Sequence, residues 1–245
     1  MTAYGKMASV YDELMTDVDY DTWFRHYMGL LELSGSVRRV LELGCGTGNF
    51  TSRLIRHFDV HAVDASREML EKARLKAAQH ELPHALSFEC ADMALFEAEG
   101  PFDAAVAVFD VMNCAESFER LQSTCARVSA ALTPDARFLF DVNNEQAFRL
   151  CLFDEDVVRL EDQYAHIWRG VYDERTRREV VEMKFYKGNE KFCETHVQRA
   201  HSREEIVAAL ESTGFGNIYI MDAQTMSRPT DKTDRWLVAA TKGRR

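Results

Sequence analysis

The chain has 245 residues, 46% of them hydrophobic, with 4 prolines and 12 glycines, which describes a folded globular protein with one large core and room for a modest insertion. Forty acidic against thirty basic residues leave a net charge of -10, which repels phosphate polyanions and anionic bilayers and argues against nucleic acid or a membrane as partner. No apolar run reaches membrane-spanning length, and Met1 to Met15 carries charges and tyrosines where a secretory leader needs an apolar stretch, so a cytoplasmic protein is expected.

In chain order, residues 1–35 read as an N-terminal helical cap bearing Tyr4, Tyr11, Tyr20 and Trp23. Val40–Leu43, Val60–Val63, Leu86–Cys90, Ala104–Phe109 and Phe138–Val142 are near-continuous apolar runs, the pattern of parallel strands buried on both faces. Helical spacing fills the gaps: Arg67–His80 opens behind the N-cap residue Ser66, and Phe118–Leu132 carries Leu121, Cys125, Val128 and Leu132 on one face. Such a βαβ series predicts a parallel sheet with right-handed crossovers. From about Val157 to His201 the period drops to two, interrupted at Asp173–Thr176 and at Lys187–Glu190, which predicts a meander of three antiparallel strands. Ser202 with Glu205 then makes a capping box for a helix through Ser212, Gly214 ends it, and strands at Asn217–Asp222 and Trp236–Thr241 close the sheet.

The expected fold is therefore α/β: a doubly wound, mostly parallel seven-stranded sheet with an antiparallel β insertion after the fifth strand. Residues 1–149 and 202–245 form the main domain and 150–201 the insertion. Between Arg159 and Arg203 ten Lys or Arg meet eight Asp or Glu, so this segment is +2 and the remainder -12, a hint of a less acidic substrate region. The six cysteines, Cys45, Cys90, Cys114, Cys125, Cys151 and Cys193, form no CxxC pair and are expected to be reduced and mostly buried.

The first strand runs through Glu42 into Gly44-Cys45-Gly46-Thr47-Gly48-Asn49 and then into a helix near Phe50. Glycines there permit a tight turn and let a ligand approach the backbone at the carboxyl end of a strand. Taken alone, the turn is equally a bare strand-to-helix connection. A dinucleotide fingerprint GxGxxG needs glycine at position 49, which is Asn49, and a phosphate-binding loop needs a GK[ST] that is absent. Asp64 ends the second strand, where a carboxylate can accept hydrogen bonds from both hydroxyls of a ribose. Asp92-Met93 ends the third, an amine acceptor beside an apolar cover for a flat ring, which suits adenine.

Together, Glu42-Leu43-Gly44-Cys45-Gly46-Thr47-Gly48, Asp64, Asp92-Met93 and Phe102-Asp103 resemble the successive motifs of class I S-adenosylmethionine (SAM)-dependent methyltransferases. The resemblance is strong over residues 38 to 143, and residues 202 to 241 follow the family's helix-strand-strand order. It implies SAM as cofactor and S-adenosylhomocysteine (SAH) as product. Gly44, Cys45, Gly46 and Gly48 would pass beside the methionine portion, with Glu42 near its amino group. Asp64 with Ala65 and Met69 would hold the ribose side, Asp92 and Met93 the adenine, and Phe109 the fourth-strand end. The N-terminal tyrosines are similar to those of the small-molecule branch, in which such a helix closes over the cofactor and an antiparallel insertion roofs the substrate. Tyr4 and Tyr11 are thus expected either to touch the ligand or to cap an exposed sheet end, while Tyr20 and Trp23 are expected to pack.

Methyl transfer from a sulfonium is an in-line displacement on an activated carbon, so positioning can supply much of the acceleration and no fixed triad is needed. An amine acceptor must lose a proton, which a Tyr, His or carboxylate could take. Asp110 and Asn113, after the fourth strand, are candidates for substrate contact or for loop capping. No Pro-Pro pair marks a DNA-base or amide methyltransferase, since the prolines are Pro83, Pro101, Pro134 and Pro229. Asp110, Asp141, Asn143 and Asn144 only loosely echo the catechol-type metal site, and no metal is expected. If Gly188-Asn189 is a two-residue hairpin turn, Lys187 pairs with Glu190, Phe185 with Phe192, Met183 with Glu194 and Val181 with His196, all on one face. That face would carry Glu194 and His196 into a substrate pocket, His196 and Tyr11 being the candidate catalytic residues; alternatively His196 merely pairs with Glu194. A small-molecule acceptor, nitrogen or oxygen, is expected, as monomer or homodimer. A non-catalytic SAM-binding module and a nicotinamide-dependent oxidoreductase remain the alternatives.

Overall fold

The computed structural model describes residues 4–32, 37–79, 81–150, 154–159 and 164–244. Eleven strands fall into two sheets among these residues. The main sheet takes β1 (Arg39–Leu43), β2 (Asp59–Asp64), β3 (Leu86–Cys90), β4 (Phe102–Ala107), β5 (Leu132–Asn143), β10 (Phe215–Asp222) and β11 (Arg235–Lys242) in the order β10-β11-β5-β4-β1-β2-β3. Strands β1 to β5 pair in parallel, and β11 joins β5 and β10 antiparallel. The chain reverses its winding between β1 and β4, the place where open α/β sheets bind ligands beyond the carboxyl ends of their strands.

Val40, Leu41 and Leu43 of β1 and Ala104–Ala107 of β4 are buried on both faces because helices cover both. On one side Leu121, Cys125 and Val128 of α5 (Phe118–Ala131) and Ile206 and Leu210 of α7 (Arg203–Ser212) share a core with Phe138 and Phe140 of β5. On the other, Tyr27 and Leu31 of α2 (Tyr20–Glu32), Leu54 of α3 (Thr51–Leu54) and Leu70 of α4 (Arg67–Ala77) pack on Val40, Val60 and Val106. Strand β3 departs from the expected double burial: as the sheet's edge it has one neighbour, and its residues are half-buried or exposed.

The helix starts follow their side chains. Ser66 Oγ accepts from Met69 N at 3.2 Å, Ser117 Oγ from Arg120 N at 3.2 Å, and Ser202 and Glu205 form a reciprocal capping box. Each cap satisfies donors the helix cannot and is worth about 1 kcal/mol. Helix α4 ends at Ala77, short of the expected His80, which lies outside the described residues. Of the cysteines, Cys45 and Cys125 are buried, Cys114 is half-buried, and Cys90 and Cys193 are exposed, so burial is less general than expected; Cys151 lies outside the described residues.

The second sheet lies wholly within the insertion and has four strands, not three: β6 (Glu155–Arg159), β7 (Tyr164–Asp173), β8 (Arg178–Lys187) and β9 (Glu190–Arg199), paired in that order. The extra strand was hidden because β6 is short and acidic and pairs only at an edge. The hairpin register is the expected one, with Val181 opposite His196, Met183 opposite Glu194 and Phe185 opposite Phe192. Val181, Met183 and Phe185 are buried together with Met7, Val10 and Tyr164, so this face of the sheet packs on the N-terminal segment.

Candidate cofactor and acceptor site

A cavity of about 440 Å³ lies over the carboxyl ends of β1 to β4. Its floor is the glycine turn, in which Gly44, Gly46 and Gly48 all have positive φ (65°, 55° and 82°). The three differ in what they leave room for. A Cβ on Gly44 would lie 2.3 Å from the Val111 side chain and one on Gly48 3.2 Å from Ala73 of α4, whereas one on Gly46 meets only the Tyr11 ring at 3.9 Å. Gly44 and Gly46 line the cavity, while Gly48 serves the turn and the packing of α4.

Two carboxylates stand at this floor. Asp64 accepts Gly46 N at 2.8 Å and Ser66 N at 2.8 Å, and burial raises its pKa against those bonds. Glu42 is 2% exposed and its Oε2 has no hydrogen-bond partner among the described residues. Burial, opposed by the Thr51 hydroxyl and reinforced by the Asp64 charge, pushes its carboxyl up to about 8. A buried acceptor without a donor is costly, and an ammonium group delivered by a ligand removes that cost. Asp92 Oδ2 is paired with Arg120 Nη2 at 2.6 Å, and its Oδ1 accepts Ala94 N.

The N-terminal segment crosses the cavity as a strap fastened at both ends. In α1 (Tyr11–Leu14), Asp12 accepts Thr47 Oγ1 at 2.6 Å and Asn49 Nδ2 at 2.9 Å and pairs with Lys76 at 3.0 Å. Asn49, the residue that spoils the dinucleotide fingerprint, thus holds the strap and also donates to the Tyr20 hydroxyl at 3.1 Å. At the other end Glu194 accepts Tyr4 N at 3.0 Å and Met7 N at 2.7 Å, and pairs with His196 Nε2 at 2.9 Å. Tyr4 and Tyr11 both line the cavity, where burial raises their hydroxyl pKa values and keeps them neutral donors.

The loop after β4 is organised by Asp141, fully buried on β5. Its oxygens accept Phe109 N at 2.7 Å and Asp110 N at 2.9 Å, as well as the Tyr27 hydroxyl and Arg235 Nη1. Those bonds hold Phe109 and Asp110 at φ 66° and 53°, a left-handed pair that costs roughly 1–2 kcal/mol per residue. Phe109 lies against Tyr20 and Trp23, ring centroids 5.1 Å away in each case, and lines the cavity. Trp23 packs without lining it; Tyr20, expected only to pack, does both.

Of the residues expected at the site, Tyr4, Tyr11, Glu42, Gly44, Cys45, Gly46, Asp64, Ala65, Met69, Asp92, Met93, Phe109 and His196 come together around the cavity. Gly48, Asp110, Asn113 and Glu194 do not line it. Both Asp110 oxygens are engaged, by Arg235 Nη2 at 2.9 Å and Gln198 Nε2 at 2.7 Å. Asn113 is fully buried and joins the Asn143 backbone to the Arg199 carbonyl, and Glu194 serves the strap. Sequence reasoning missed Arg120, Cys114, Glu116, Thr195 and Val197 among the lining residues. It gave no role to Asp12 or Lys76: Asp12 lies 35 and 37 positions before its partners Thr47 and Asn49, a separation that leaves no local signal.

The residues at hand fit SAM. Glu42 offers an unpaired acceptor to an amino group, Asp64 faces the cavity beside a glycine that keeps the wall open, and Asp92 and Met93 stand at the far strand end. Residues 40–135 match the methyltransferase domain family. Over 98% of both chains, the protein is 29% identical to YqeM of Bacillus subtilis (strain 168), a candidate methyltransferase. A crystal structure of a SAM-dependent methyltransferase from Clostridium acetobutylicum ATCC 824 superposes with a TM-score of 0.85 at 26% identity, covering 97% of this chain and 98% of that one. SAM-bound CalS10, an amino pentose methyltransferase from Micromonospora echinaspora, shares the fold at a TM-score of 0.73 and 20% identity, covering 95% and 96% of the two chains. No helix among the described residues is long and apolar enough to cross a membrane. A parallel sheet wound about β1 and β4, a glycine turn with Asp64 and Asp92 at successive strand ends, and this likeness over the whole chain identify the protein as a class I SAM-dependent methyltransferase.

Proposed function

We propose that the enzyme methylates a nitrogen or oxygen of a small-molecule acceptor held beneath the four-stranded sheet, in the cytoplasm and without nucleic acid. The observation that carries this reading is the cavity itself, which runs from the glycine turn to His196 of the insertion and is closed above by the strap. Bound SAM supplies a methyl group on a sulfonium, open to in-line displacement by the acceptor's lone pair.

The chain's own residues do the rest. Glu42 and Asp64 bind the amino and ribose groups, Asp92 and Met93 the adenine. Tyr4, Tyr11 and the strap exclude water. Residues 150–201 act as the substrate lid on a main domain of 1–149 and 202–245. His196 is the proton acceptor in this reading: the Glu194 carboxylate at 2.9 Å from Nε2, a closer contact than the Tyr4 N–H at 3.4 Å, favours the tautomer with its proton on Nε2 and its lone pair on Nδ1. The amino pentose named for CalS10 is consistent with an acceptor of this size. Incubation with labelled SAM and a metabolite extract, followed by mass spectrometry of labelled products, is the test. A labelled macromolecule and no labelled small product would refute the proposal.

A further inference from the structure

The inner face of the four-stranded sheet holds two acceptor oxygens with no donor. Glu179 of β8 and Gln198 of β9 are directly opposite each other, 1% and 6% exposed. Among the described residues Glu179 Oε2 and Gln198 Oε1 have no hydrogen-bond partner. The Gln198 amide cannot turn over to relieve this, because its Nε2 donates to Asp110 Oδ2 at 2.7 Å, an oxygen that only accepts. Asp110 is fixed in turn by Arg235 at 2.9 Å, so the free atom of the amide stays its carbonyl oxygen.

The backbone is shaped around the carboxylate. Gly170 of β7 lies beside Glu179, and a Cβ there would sit 2.4 Å from Glu179 Oε1, so the missing side chain gives the carboxylate its room. His196, two residues before Gln198 on the same face, lines the cavity. The oxygen pair therefore lies one residue row, about 7 Å along the strand, beyond the cavity wall. Asp110 and Asp141 pair with Arg235, and the charges of Asp154 and Asp110 reach Glu179. Burial, with the charges of Asp154 and Asp110, pushes the Glu179 carboxyl up to about 7.

Two neighbouring acceptors in an anion-rich place call for a group with at least two hydrogens and a positive charge. A hydroxyl has one hydrogen and no charge; an ammonium has both. We propose that Glu179 and Gln198 seat an ammonium group of the methyl acceptor, so that the substrate class is a cationic, amine-bearing small molecule. Asp110 is a positioning residue that presents the Gln198 carbonyl, which explains why neither of its own oxygens is free. This rests on the small-acceptor methyltransferase reading above.

The test uses the full chain saturated with SAH, titrated with methylammonium chloride at constant ionic strength while the ¹⁵N side-chain amide resonance of Gln198, assigned with Gln198→Leu, is followed. A saturable shift is expected with methylammonium and none with potassium chloride. Its midpoint should rise about tenfold or more in Glu179→Gln, with SAH affinity held within about twofold. Gly170→Ala, whose added carbon displaces the carboxylate, should weaken methylammonium likewise and replaces Glu179→Gln if that variant fails to bind SAH. No saturable shift, an equal shift with potassium, or an unchanged midpoint in the variant overturns the proposal. Failure of the wild-type chain to bind SAH strikes the methyltransferase reading instead.

Discussion

The Tyr4 ring lies against the His196 imidazole, ring centroids 4.0 Å apart and planes tilted by 42°, while Glu194 joins the histidine to the backbone of the same segment. The proposed proton acceptor and the fastening of the strap therefore meet at one histidine. His196→Ala should lower methyl transfer by about 10²- to 10⁴-fold if the imidazole removes the acceptor's proton. SAM affinity measured by calorimetry separates this from a loosened strap, which would weaken cofactor binding in parallel. A fall in turnover of less than about threefold assigns the proton to water or Tyr11.

Glu194 gives that closure a pH dependence. Burial raises its pKa, but the bonds from His196 and Met7 N outweigh it and hold the carboxyl below its ordinary value. A depressed acid contributes stability above its unfolded pKa and loses it as pH falls through the folded one. The NMR contact between the Tyr4 ring and the His196 imidazole should be lost as pH is lowered from neutral to below about 4, and in Glu194→Gln it should be weak and nearly flat with pH. A flat wild-type profile would count against the fastening.

Glu42, with its carboxyl pushed up to about 8, is protonated at neutral pH in the free protein. Its contribution to stability is present below the unfolded pKa and lost as pH rises through the folded one. An amino group bound beside it favours the carboxylate, so SAM binding at pH 7 should release a proton. Calorimetry in buffers of different ionisation enthalpy measures this release, and it should vanish in Glu42→Gln. Zero release in the wild type would move the amino group elsewhere.

Asp64→Ala should weaken SAM binding by about 1–3 kcal/mol, since ribose hydroxyls lose a charged acceptor. An unchanged affinity in a folded variant would leave Asp64 as the clasp of Gly46 and Ser66 alone.

Gly44→Ala should destabilise the fold, because positive φ costs roughly 1–2 kcal/mol and the new methyl meets Val111 at 2.3 Å. Adding Val111→Ala should recover the steric part and leave the backbone part. Thermal melts of the two single variants and the double variant give the coupling, and strict additivity would contradict the contact.

What the sequence disclosed follows from the range of each signal. Apolar runs, the glycine turn and the capping serines act within a few residues, so β1, β2, α4 and α7 were legible in outline, and so was the hairpin register from Gly188-Asn189. Polar side chains whose partners lie far off in sequence were not. Asn113 looked like a substrate contact because only the folded chain brings Asn143 and Arg199 to it, and the Gln198 to Asp110 bond spans 88 positions. The strand β6 escaped for the opposite reason: two acids followed by the adjacent Val157 and Val158 carry no apolar alternation that would set it apart from the meander.

That Asn113 clamp has a consequence for how the insertion could evolve. One buried amide ties the point where the chain leaves the main sheet, at Asn143, to the point where the second sheet ends, at Arg199. The ends of the excursion are thus fixed together independently of what lies between, and the entropy of closing a loop grows only logarithmically with its length, about 0.6 kcal/mol per doubling. On the lid reading proposed above, an exchange of strands within this cassette leaves its two ends clamped, so a change of acceptor need not disturb the cofactor-binding sheet.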